Sequence, residues 1–228
     1  MIDNFLPVLL LGFALGIKHA FDTDHVVAVS TLVLAHKNPW RSALLGAFWG
    51  LGHTTTLFLT GFTVLLFKIS IPVKAGLFLE LLVGVMLIIL GVLTLIKKRG
   101  SYHAHEHKHG HNIHAHFHEE HEFKKSHSHK KSYTIGIVHG LAGSGALMLL
   151  VLSTVKSTVQ GLYYILIFGI GSIGAMTIIS FTLSLPYLLA FKKFPGLIKY
   201  VNNLAGILSL IFGMGIIYEI LILGNLLS

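Results

Sequence analysis

Polar residues are confined to a few places in this chain. Between them run six long apolar stretches, at about 5–35, 42–67, 75–96, 133–155, 159–190 and 200–227. A transmembrane helix needs about 20 predominantly apolar residues, so the pattern predicts an all-α polytopic membrane protein of six spans. The first and fifth stretches run to about 30 residues. A straight helix of that length rises about 45 Å, against a hydrocarbon core of about 30 Å. Both must therefore tilt, kink or break. Gly12 and Gly16 are the candidate interruptions in the first, and Gly169, Gly171, Gly174 and Pro186 in the fifth. The first stretch lacks a basic leader and is interrupted by His and Asp, so it reads as a retained span and not a cleaved signal.

Composition agrees with this layout. Hydrophobic residues make up 54% of the 228 residues and charged residues only 11%, where a soluble domain carries about 25%. The formal net charge of +8 would suit a nucleic-acid ligand if it formed a face, but it does not. Eleven of the 16 His crowd into residues 100–132, and the remaining basic residues sit mostly at the edges of apolar runs. Lys37, Arg41, Lys97, Lys98, Arg99, Lys192, Lys193 and Lys199 would share one side of the membrane, against Lys68, Lys74 and Lys156 on the other. The positive-inside rule then puts both termini outside and the His-rich segment in the cytoplasm. With no cysteine, thiolate metal sites and iron–sulfur clusters are excluded.

The two halves resemble each other. Gly16-Ile-Lys-His19 matches Gly136-Ile-Val-His139, and Gly50-Leu-Gly-His53 matches Gly169-Ile-Gly-Ser172. Three spans per half is an odd number, so the repeats are expected to be inverted, a design in which transporters place their site near the midplane on discontinuous helices. The organisation expected is a first three-helix repeat at 1–99, a disordered cytoplasmic His-rich linker at 100–132 and a second repeat at 133–228.

The candidate chemistry lies in His19-Ala-Phe-Asp22-Thr-Asp24-His25. Each ionised acid in a membrane span costs on the order of 3 kcal/mol on insertion scales, so such groups need partners. A divalent transition metal is one, and imidazole suits nickel, cobalt, copper and zinc. On an intact helix His19, Asp22 and His25 fall on one face, and Asp24 points elsewhere. Asp24 then joins only if the helix unwinds, or else serves by orienting a histidine. His53, mid-span among glycines and threonines, is a further candidate ligand, and His139 is its weaker counterpart in the second half. The bland alternative is hydrogen bonding between helices. The His-rich segment suits loose, exchangeable binding of divalent metal.

His19-(four residues)-Asp24-His25, its flanks, and Leu51-Gly-His-Thr-Thr55 resemble the signature of the nickel/cobalt transporter family. The six-span plan is similar to that family's shorter branch among urease accessory proteins of the H type. The resemblance implies uptake of Ni2+ or Co2+ across the cytoplasmic membrane, with His19, Asp24 and His25 essential and His53 less firmly carried over. Eight-span members have an additional leading helix that this chain lacks.

The expectation is thus a permease and not an enzyme. The metal ion is its substrate, and no prosthetic group is needed. The lipid bilayer surrounds it, cytoplasmic nickel chaperones are the receiving partners, and nucleic acid has no role. Metal ligands are drawn from His19, Asp22, Asp24, His25, His53 and His139. Acid should oppose uptake, because protonated imidazole does not bind metal. A metal exporter shares every feature except Asp24. A membrane factor that delivers nickel to urease without conducting it is a third reading. An intramembrane hydrolase would need a general base beside the cluster, and neither Glu80 nor Glu219 is near it in sequence.

Overall fold

The computed structural model describes residues 6–33, 38–69, 72–96, 103–109, 112–118, 127–154, 157–193 and 197–223. Seven α-helices account for most of them: α1 (Leu6–His19), α2 (Thr23–Val33), α3 (Pro39–Phe67), α4 (Val73–Ile96), α5 (His127–Thr154), α6 (Thr158–Lys193) and α7 (Leu197–Tyr218). A π-helical turn, Glu219–Leu223, continues α7. Among the described residues, four helices are long and apolar enough to cross a membrane: Pro39–Phe67, Val73–Ile96, Thr158–Leu189 and Leu197–Ile222. The α1–α2 pair, bent by 56°, makes a fifth if counted as one span. Of the expected span at 133–155, the side chains from 143 onward lie outside the described residues.

The surface is what a bilayer requires. Leu10, Phe21, Leu59, Ile89, Ile170, Ile178 and Ile211 are all exposed, whereas a soluble monomer seldom shows large contiguous apolar patches. Inside the bundle lie small and hydroxyl residues. Hydroxyls bond carbonyls of neighbouring helices: Ser132 Oγ to Leu45 O at 2.7 Å, Thr56 Oγ1 to Ile137 O at 3.1 Å and Ser209 Oγ to Leu87 O at 2.7 Å. In lipid the hydrophobic effect does not drive helices together, so close backbone approach and such bonds do.

Glycine sets those approaches. A methyl group on Gly16 would meet the Phe168 carbonyl, and one on Gly171 the Phe13 carbonyl, locking α1 to α6. The same relation joins α5 to α3, where Gly136 abuts the Trp49 carbonyl and Gly52 the Tyr133 carbonyl. Helices α4 and α7 cross where Gly91 meets Gly206 and Gly84 meets Gly213. α3 lies between α5 and α6, and α4 packs on α7.

The structure corrects one local expectation, the place of the first break, and adds detail to two others. The first stretch breaks at residues 20–22 and not at Gly12 or Gly16, which lie buried inside α1 and serve close packing. The fifth does not break at all. α6 is one helix of 36 residues with Pro186 inside it, about 54 Å long, so it tilts or projects beyond the hydrocarbon. Within 100–132, where a disordered linker was expected, β1 (His103–His109) pairs antiparallel with β2 (Asn112–His118), and α5 starts at His127. The strict alternation of His with other residues supplies the period-two pattern a hairpin uses.

Candidate metal centre

The break in the first span builds the site. α1 ends at His19, and a tight turn follows in which Phe21 N–H bonds Lys18 O at 2.9 Å and Asp22 N–H bonds His19 O at 3.0 Å. α2 starts again at Thr23, placing Asp24 and His25 in its first turn. Helix dipoles favour this arrangement. The C-terminal end of α1 attracts positive charge to His19, and the N-terminal end of α2 stabilises the Asp24 carboxylate. His53 and His139 come from mid-helix positions on α3 and α5. The glycine contacts at Gly52 and Gly136 let those two backbones approach closely enough for the imidazoles to meet.

Four imidazoles therefore converge. Ring centroids are 4.5 Å apart for His19 and His25, 5.1 Å for His25 and His53, and 4.0 Å for His25 and His139. His25, His53 and His139 are essentially inaccessible. His19 Nε2 and His53 Nε2 lie 3.2 Å apart. Two carboxylates hold the rings. His19 Nδ1–H donates to Asp22 Oδ2 at 2.7 Å, and His25 Nδ1–H donates to Asp24 Oδ1 at 3.1 Å. His139 Nε2–H donates to the other Asp24 oxygen at 2.8 Å. An ionised carboxylate only accepts, so these bonds fix which ring nitrogen carries the proton.

Among the described residues, two sets of three side chains each place ligand atoms within 4.8 Å of one another: His19 with His25 and His53, and Asp24 with His25 and His139. In the first set, Asp22 and Asp24 hold the Nδ1 protons of His19 and His25. That leaves both Nε2 atoms without a proton: His19 Nε2 faces His53 Nε2, and His25 Nε2 has no hydrogen-bond partner. Carboxylate–histidine–metal chains are built this way, the carboxylate fixing the tautomer and orienting the ring.

Of the six residues singled out from sequence, five fall in these sets. Asp22 belongs to neither. Its side chain is 50% exposed and its partner is His19. The intact-helix geometry that grouped it with His19 and His25 fails because the backbone breaks beside it. Asp24 comes inward instead, through that break. Glu80 and Glu219 are exposed and belong to neither set. Trp49 was not foreseen. It is fully buried, with its ring 5.4 Å from His25 and 5.3 Å from His139, so it walls the cluster. Phe168 covers His19 at 5.5 Å. A mid-span Trp between glycines was the available signal.

Residues 72–215 match the family described as cytochrome C biogenesis protein transmembrane region. Of the four clustered histidines, that stretch includes only His139. Over 220 residues the chain is 40% identical to the urease accessory protein UreH of Bacillus sp. (strain TB-90), covering 95% of this chain and 93% of that protein. No solved structure matches.

Proposed function

The chain belongs to the family of the urease accessory protein UreH and carries a membrane region of the cytochrome c biogenesis type, and from that premise we propose that it is a nickel permease of the cytoplasmic membrane, with Co2+ as an alternative cargo. The observation that carries this reading is the convergence of His19, His25 and His53 inside an apolar bundle, each of the first two braced by a carboxylate. Imidazole and carboxylate together suit borderline divalent ions such as nickel and cobalt.

A hydrated ion arriving from outside would exchange waters for the three imidazole nitrogens. Asp24 and Asp22 would offset its charge. Three neutral protein ligands hold an ion less completely than a four-ligand structural centre, so release inward stays feasible. The His-rich hairpin, on the cytoplasmic side in this reading, would receive the ion and pass it to chaperones.

Six spans in two inverted repeats fit the packing. Under the alignment of Gly16 with Gly136 and Gly50 with Gly169, the contact of Gly16 with Phe168 becomes that of Gly136 with Trp49. The contact of Gly171 with Phe13 likewise becomes that of Gly52 with Tyr133. His19 and His139 are equivalent positions in that scheme. Such reciprocity supports two halves that rock about a central site.

Radiolabelled nickel uptake in cells lacking their own importers tests the reading. His19→Ala and Asp24→Asn should lose nearly all uptake, and deletion of 103–118 should reduce it modestly. Normal uptake by His19→Ala would overturn the site. Ion efflux in place of uptake would reverse the direction.

A further inference from the structure

The two donor sets share one residue, His25. His25 Nδ1 lies 3.1 Å from Asp24 Oδ1, beside His139, whose Nε2 is 2.8 Å from the other oxygen of the same carboxylate. Its Nε2 is buried without a partner, and the other set adds His19 and His53. Accepting the permease reading above, we infer that the ion has two successive positions. One is held by His19, His25 and His53. The other is held by Asp24, His25 and His139, and the ion passes between them around the His25 ring.

Proton bookkeeping makes the positions mutually exclusive. A neutral imidazole carries one proton and offers one lone pair. At the first position the ion bonds His25 Nε2, and the ring proton sits on Nδ1 against Asp24. At the second the bond to Nε2 breaks and a bond to Nδ1 forms, while the ring proton moves from Nδ1 to Nε2. His139 likewise shifts its proton from Nε2 to Nδ1, which has no hydrogen-bond partner. No proton is gained or lost overall. With metal–nitrogen bonds of about 2 Å on opposite sides of one ring, the positions lie on the order of 6 Å apart. The ligand sets differ in charge, three neutral imidazoles against two imidazoles and a carboxylate. His19 and His139, the equivalent residues of the two halves, are the outer ligands.

Cobalt reports its ligand set through its visible absorption, so purified full-length protein in detergent, titrated with Co2+, tests this. Wild type, His53→Gln, His139→Gln and His25→Ala are compared by absorption and by equilibrium dialysis, each first shown to elute as a single species. Expected is one tightly held Co2+ per chain in wild type and in both Gln variants, apart from the weakly held ions of the His-rich segment. The two Gln variants should give different spectra whose weighted sum reproduces wild type, and His25→Ala should bind roughly tenfold more weakly or worse. Nickel uptake in cells should fall in both Gln variants. A wild-type spectrum from His139→Gln, whatever its uptake, overturns the second position and leaves the permease reading standing, as does a second Co2+ held as tightly as the first. Wild type that binds no Co2+ removes both.

Discussion

Asp22 and Asp24 are two residues apart and do different work. Asp24 grips two imidazoles from two helices, while Asp22, half exposed, braces only His19. Neutralising Asp22 should therefore cost less than removing a ligand. Asp22→Asn is expected to weaken nickel binding by about 10- to 100-fold, less than His19→Ala, when both are measured by equilibrium dialysis on purified protein. Equal losses would mean that Asp22 is itself a ligand. The clustered histidines and acids were legible in the sequence because ionisable groups in a lipid-spanning stretch are expensive. The division of labour between the two acids was not, since it depends on a break of three residues. Trp49 was not foreseen for a different reason: a mid-span Trp between glycines reads the same whether its buried indole walls a metal site or fills an ordinary core.

At the scale of the helices, glycine had two readings, interruption or close contact, and periodicity does not separate them. Gly12 and Gly16 proved to be contacts, and the chain breaks at Ala20-Phe21-Asp22. α6 likewise keeps its helix through four glycines and Pro186. The contacts should be intolerant of bulk. Gly136→Leu, which would drive a side chain into the Trp49 backbone, is expected to destabilise by about 1–3 kcal/mol or more. Gly76→Ala, where nothing lies within 4 Å, should be neutral or slightly stabilising. Thermal unfolding in detergent distinguishes them, and equal midpoints would mean that α3 and α5 do not meet at Gly136. The apolar helices themselves were legible, because span length is set by bilayer thickness. The pairing of β1 with β2 was not, because a His-rich run carries no hydrophobic signal.

For the molecule as a whole, the distribution of Lys and Arg implies an orientation that the absence of cysteine makes easy to test. A single cysteine at Lys74 should react in intact cells with a thiol reagent that does not cross membranes. One at Lys199 should react only after permeabilisation. Both side chains are exposed, and the reverse pattern would invert the topology. The reciprocal glycine contacts, the clustered imidazoles and the apolar outer surface are the features on which the proposed permease rests. The most direct test is nickel entry into sealed liposomes that contain only this protein. Wild type should fill the vesicles, and His19→Ala, inserted to the same level, should do no better than protein-free liposomes. Vesicles that fill equally with both proteins, or with neither, would contradict conduction through the histidine cluster.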